Sequence, residues 1–294
     1  MNKGDSRLGR ILPVLALVLL NVFSLTIRAE DRDSAQDRYN RTDYAGALAV
    51  LRGIARPDAA ALGLMGRCEF MLGEFRKATE YFERAAALEP SNSEYALWLG
   101  RSWGRRAESA SPLFAPVNAA KARRYFERAV ALDPSNREAL SDLFDYYLEA
   151  PGFLGGGIEK AQAIANRLSR TDPAEYHYAM AQLASKQNQY RQAEEHLRRA
   201  MELAPHQIGH VVDLAKFLAH QGRTQESEAV LQQADRATPN NPRLLFERAN
   251  LYIEQQRHLD KARELLRQYL KSNLSPDDPP REEARRLLKK AGGA

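Results

Sequence analysis

Five prolines set the frame of this chain. Pro90, Pro134, Pro173, Pro205 and Pro239 each stand twelve residues after a small residue, namely Ala78, Ala122, Ala161, Ala193 and Ser227. Eight residues before the prolines come Phe82, Phe126, Ala165, Leu197 and Leu231, and five before stand Ala85, Ala129, Leu168, Ala200 and Ala234. These offsets put apolar side chains on one helical stripe, with alanines where a neighbouring helix must approach closely. The proline is then expected to stop the helix, because it lacks an N–H and its ring clashes with the preceding turn. A helical unit of fixed internal geometry that recurs along the chain predicts an all-α fold made of stacked repeats.

A second helix precedes each of these, most clearly in LGLMGRCEFMLGEFRKATEYFERAAALEP. Leu62, Met65, Gly66, Phe70, Gly73, Phe75, Ala78, Phe82, Ala85, Leu88 and Pro90 together resemble the tetratricopeptide repeat, a helix-turn-helix of about 34 residues. Gly66 lets two helices touch and Gly73 supplies the turn. Glu69 departs from the pattern, since the family usually carries an aromatic there. The resemblance implies a right-handed α-solenoid of antiparallel helix pairs over residues 30–274, in about seven units of which the first is shortened. The units fall at about 59–92, 93–136, 137–173, 174–207, 208–241 and 242–274, after a first one containing Tyr39, Tyr44, Ala47 and Leu51. Residues 275–294 include PPREEARRLLKKA, which reads as a capping helix with Pro280 at its start, acidic residues in its first turn and basic ones in its last.

The N-terminus is different in kind. Lys3, Arg7 and Arg10 precede the apolar run ILPVLALVLLNVF, followed by small and polar residues, which is the layout of a secretory signal peptide over residues 1–29. Cleavage fits after Ser24 or after Ala29. The alternative is an uncleaved anchor over residues 11–27, short for a bilayer span and weakened by Pro13, Asn21, Ser24 and Thr26. The expectation is an exported protein, periplasmic in a bacterium, with anchoring to the inner membrane as the alternative. Loss of residues 1–29 would lower the formal charge from +5 to +2. The lone Cys68 rules out an intramolecular disulfide and reads as a buried thiol.

Proline spacings of 44, 39, 32 and 34 residues show that two neighbouring units carry insertions. The constant offset to the proline places both in the turn between the first and second helices, one including SPLFAPVN and the other APGFLGGG. Turns of one type emerge on one edge of a solenoid, so that edge is a candidate site. Leu113, Phe114, Phe153 and Leu154 either pack on each other there or face a partner. Mutual packing is the preferred expectation, because exposed apolar clusters are costly. Gly155, Gly156 and Gly157 before a helix offer a weaker alternative, small-ligand or anion binding, although Ile158 and Glu159 stand where a phosphate loop needs Lys and Ser or Thr. GRSWGRRAES together with APGFLGGG also resembles a subset of exported bacterial tetratricopeptide proteins of unassigned role.

Catalytic chemistry is missing from the pattern. His206 and His210 are four apart but lack a third ligand at metal-site spacing, and His177, His196, His220 and His258 are scattered over different helices. No nucleophile elbow, metalloprotease motif or paired-carboxylate signature occurs, so neither an enzyme nor a cofactor is expected. Basic residues on the second helices alternate with acidic ones, which argues against nucleic acid. In the resembling family the concave face is lined by the first helix of each unit, which places Arg67, Arg101, Asp145, Gln182, Lys216 and Asn250 at equivalent sites, with Arg105 and Glu149 nearby. Such a face suits a protein or peptide partner of mixed charge, or a carboxylate terminus. The alternative is that Arg101 or Arg105 is simply neutralised by Asp145 or Glu149. The family's chaperone-tail clamp of Lys and Asn is not reproduced. A non-enzymatic interaction scaffold is therefore expected, with a membrane-tethered assembly factor of the same fold as the alternative.

Overall fold

A computed structural model describes residues 30–292, and among them there is no strand. Helix α1 covers 30–40, followed by α2 (Tyr44–Arg52), α3 (Ala59–Met71), α4 (Phe75–Leu88), α5 (Ser93–Glu108), α6 (Ala115–Leu132) and α7 (Arg137–Glu149). Then come α8 (Ile158–Thr171), α9 (Pro173–Lys186), α10 (Tyr190–Leu203), α11 (Ile208–His220), α12 (Thr224–Ala237), α13 (Pro242–Glu254), α14 (Leu259–Lys271) and α15 (Arg281–Lys290). Consecutive helices pair as α3/α4 through α13/α14, and each second helix also packs on the first helix of the next pair. The result is an all-α solenoid of helix pairs. The residues called a signal peptide or anchor lie outside the described residues.

The sequence dictates this through close approach. Ala78, Ala85, Ala129, Ala161, Ala165, Ala193 and Ala200 have no exposed surface, and Phe82 and Leu168 are equally sealed. A Cβ on Gly100 would lie 2.5 Å from the Phe126 ring, and one on Gly66 would lie 2.8 Å from the Phe82 ring. Glycine is thus what lets α3 meet α4 and α5 meet α6. The first helices are also marked at their starts: Asp58, Asn92, Asn136, Asp172 and Asn241 each accept a backbone N–H in the first turn of α3, α5, α7, α9 and α13. The second helices α4, α6, α8, α10, α12 and α14 have no such cap and start from tight turns.

Two expectations change here. Pro90, Pro134, Pro205 and Pro239 follow second helices, but Pro173 is the first residue of α9. Only Asp172 separates α8 from α9, and a proline is tolerated at that first position because its missing N–H would have been unpaired anyway. The larger insertion is also not confined to a turn: α5 has 16 residues and α6 has 18, against 13 and 14 in α3 and α4. Ala115, Pro116, Val117 and Asn118 form the opening turn of α6, where Pro116 suits an early helical position. The smaller insertion remains a loop, residues 150–157, with one 3-10 turn at Gly152–Leu154.

Glu69, the residue out of pattern, is only 2% exposed, and its carboxylate lies 3.0 Å from the Arg52 guanidinium. An ion pair between α2 and α3 stands where the family places aromatic packing. At the far end, α15 packs on α13 and α14. Arg281 donates both to Thr42 Oγ1 (2.7 Å) and to the Ser272 carbonyl (2.7 Å), which ties the last helix to the turn between α1 and α2.

Candidate functional site

The first helices share the inner face, with α3 touching α5, α5 touching α7, α7 touching α9 and α11 touching α13. At the α3 end this face bounds a cavity of about 580 Å³, lined by side chains of α1, α3, α5 and α7 and closed by Pro276 and Asp277. A second cavity of about 500 Å³ lies farther along, between α7, α9 and α11. Of the register positions named from sequence, Arg67 and Arg101 line the first cavity and Gln182 and Lys216 the second, together with Glu149, whereas Asp145 and Asn250 line neither.

Arg67 lies in the first cavity, its guanidinium 5.5 Å from the Tyr39 ring centre, and it has no ion-pair partner among the described residues. Arg101, in the same cavity, is neutralised: its Nε donates to Asp142 Oδ2 at 2.6 Å and its Nη2 to Glu138 Oε2 at 2.9 Å, with Trp98 beneath it at 4.9 Å. Arg105 is exposed, pairs with Glu108 on its own helix at 2.6 Å and lies over Phe75. Glu149 accepts from Lys186 at 2.9 Å. The expected pairing of Arg101 or Arg105 with Asp145 or Glu149 is therefore wrong in its partners. Helical geometry explains the error, because a guanidinium reaches the neighbouring helix about one turn earlier than its register equivalent.

Asp145 is left almost alone. Its closest polar contact is a long one, from Gln182 Nε2 at 3.4 Å. The residue is exposed at its edge, but the protein packed around its carboxylate, reinforced by Asp142, pushes its pKa up to about 7. Asp213 in α11 behaves alike: burial raises it to about 7 despite the opposing charge of Lys216, which is itself bonded to Glu247 at 2.8 Å. Glu175 is also raised by burial, although it accepts from Ser141 at 2.6 Å. The groove thus runs from an unpaired cation at α3 to under-compensated carboxylates from α7 to α11. Asn250, the last register position, donates within its own helix to Glu254.

Sequence reasoning missed Asp142, Asp213 and Glu247. A signal was present, since these three stand three residues before Asp145, Lys216 and Asn250. Carrying a second register position along the first helices would have found the acidic row. The histidines also differ from expectation: His177 and His196 come together across α9 and α10, with their Nδ1 atoms 2.9 Å apart. No third metal ligand joins them among the described residues. Burial lowers the pKa of both. Cys68 is buried, and burial pushes its thiol up to about 12.

On the insertion edge the preferred packing expectation fails. Leu113, Phe114 and Phe153 are 77%, 61% and 82% exposed, and Leu154 is half-buried with its carbonyl accepting from Tyr146. The glycine loop also gives no anion cradle. The N–H groups of Gly155, Gly156 and Gly157 donate to the carbonyls of Gly152, Pro151 and Tyr147. Gly155 has φ +89°, and a Cβ on Gly156 would lie 1.8 Å from the Ala150 carbonyl oxygen, so these glycines serve the loop's own path.

Known proteins bear on this architecture. Two tetratricopeptide repeat family models match, one over residues 59–92 and the other over residues 184–245. A thermophilic tetratricopeptide repeat protein from Thermus thermophilus superposes with a TM-score of 0.55 at 19% identity, covering 65% of this chain and 99% of its own. A tetratricopeptide repeat protein from Parabacteroides merdae gives 0.57 at 14% identity, covering 90% of this chain and 99% of its own. No curated protein matches the sequence. These solved structures share the fold of stacked helix pairs, and by its two matched stretches the chain is a tetratricopeptide repeat protein.

Proposed function

We propose that this protein is a non-enzymatic scaffold that binds an extended peptide or protein segment of mixed charge along its inner face. Tetratricopeptide folds are in general protein-interaction folds. The observation that carries the finer reading is the polarity of the groove, with unpaired Arg67 at one end and Asp145 and Asp213 at the other. A ligand carboxylate satisfies Arg67 as a forked acceptor, and a ligand Lys or Arg satisfies the carboxylates. Arg101 supports the binding wall as part of its network with Asp142 and Glu138. Among the described residues no group of titratable side chains combines an accessible nucleophile with a base, which supports binding over catalysis.

Export belongs to the same proposal and is supported by the basic, apolar and then small-residue order of the first 29 residues. Among the described residues no helix is long and apolar enough to cross a membrane. The test is a random peptide library panned against the wild type, Arg67→Glu and Asp213→Asn. The expected binders carry an acidic and a basic cluster apart from each other, with the acidic cluster no longer selected by Arg67→Glu and the basic one weakened by Asp213→Asn. One peptide population shared by all three proteins would refute the groove assignment.

A further inference from the structure

The groove leaves one surface of the molecule unused. In a chain with 28% charged residues, 109–120 and 150–158 contain no charge at all, and both stretches include a loop of the insertion edge. The edge carries Leu113, Phe114 and Phe153, and Val117 is 55% exposed beside them. These side chains are held outward by structured turns. Phe114 N–H donates to the Ser111 carbonyl at 2.9 Å, and Asn118 Nδ2 donates to the Arg106 carbonyl at 3.3 Å. Phe153 lies in a 3-10 turn that touches α6, where a Cβ on the adjoining Gly155 would lie 1.7 Å from Arg123 Nη1. Nine residues of helix separate Phe114 from Arg123, about 14 Å along the axis, so both loops flank the first half of α6, with exposed Val117 between them.

Cations outnumber carboxylates at the base of this edge, where Glu108 is paired with Arg105, Glu127 with Arg123, and Glu159 is exposed with no ion-pair partner among the described residues. Arg106 and Lys121 lie over the Trp103 ring at 3.8 and 3.9 Å, Arg124 is exposed, and Lys160 donates to the Gly155 carbonyl. None of these four has an ion-pair partner among the described residues. Apolar tips that project without a surrounding groove are poorly shaped for a rigid counter-surface, whereas a deformable phase accepts them. The fringe of cations matches phosphate at the level where such tips would stop.

We propose that the edge formed by the α5–α6 and α7–α8 loops inserts shallowly into an anionic lipid surface, with Leu113, Phe114, Val117 and Phe153 in the interface and the neighbouring cations on the headgroups. The scaffold then presents its groove beside a membrane. This does not depend on whether the first 29 residues are removed, because the contact is made by the repeats themselves.

The test uses the full chain carrying Phe153→Cys or Phe114→Cys with an environment-sensitive fluorophore, buried Cys68 being shielded from the label. Ser135→Cys, in the turn at the opposite end of α6, is the control. Phosphatidylglycerol–phosphatidylcholine vesicles are expected to shift the emission at positions 153 and 114 to the blue but not at 135, with quenching by headgroup-level spin-labelled lipid. The Lys121→Glu, Arg124→Glu variant should weaken that vesicle response on the order of tenfold. No shift at 153 or 114, or an equal shift at 135, overturns the proposal. So does a shift that grows with protein concentration without lipid, which would assign the edge to a second copy, or one that requires an added protein, which would assign it to a protein partner.

Discussion

Asp145 and Asp213 hold protons near neutrality that the unfolded chain releases near the ordinary aspartate value of about 3.9. Between roughly pH 4 and 7 the folded protein therefore binds more protons than the unfolded one, and the contribution of these groups to stability falls as pH rises through that window. Asp145→Asn and Asp213→Asn are expected to raise the melting temperature at pH 8, and to flatten its fall between pH 5 and 8 in scanning calorimetry. An unchanged pH profile would refute the assignment. A ligand cation favours the ionised carboxylates, so binding in the groove should release protons and tighten as pH rises through 7. At Gly100 the issue is contact: Gly100→Ala forces a methyl into the Phe126 ring and should cost about 1–3 kcal/mol in urea unfolding.

At the scale of elements, the helices were legible because their signals are local. Small and apolar residues at fixed offsets, prolines and glycine contacts define each second helix without any tertiary knowledge. The site was legible only in part. Register placed Arg67, Arg101, Asp145 and Lys216 on one face, but pairing depends on which helix end each side chain leans toward, and Arg101 reaches Asp142 and Glu138. The His177–His196 contact was invisible because it depends on the packing of α9 against α10. The insertions misled for a similar reason: a constant proline offset fixes the end of the second helix and says nothing about where that helix begins, so α6 could grow by a turn. The exposed tips give a direct check. Phe114→Ser with Phe153→Ser should leave the melting curve unchanged within about 0.5 kcal/mol, and a large loss would restore the packing explanation. Asn136→Ala, by contrast, removes the cap of α7 and should cost about 1 kcal/mol.

Across the whole molecule, the Arg281–Thr42 contact joins residues 239 positions apart, so the two ends of the array meet. A linear repeat array has stability that is a sum over neighbours, and its ends fray independently. Closure couples them here. Arg281→Ala should lower stability by about 1–2 kcal/mol and speed amide exchange in α1 and α2 as well as in α15, whereas faster exchange in α15 alone would show that the ends are uncoupled. Closure also gives the groove a definite end, since Pro276 and Asp277 bound the cavity that holds Arg67. The claim that this inner face is the working surface is tested most directly by site-specific photocrosslinking in native cells producing the full chain, with the probe at Ser185 inside the groove and at Arg199 on the outer helices. Protein adducts from position 185 that disappear in the Arg67→Glu, Asp213→Asn background are the predicted result; adducts from position 199 with none from 185 would contradict it.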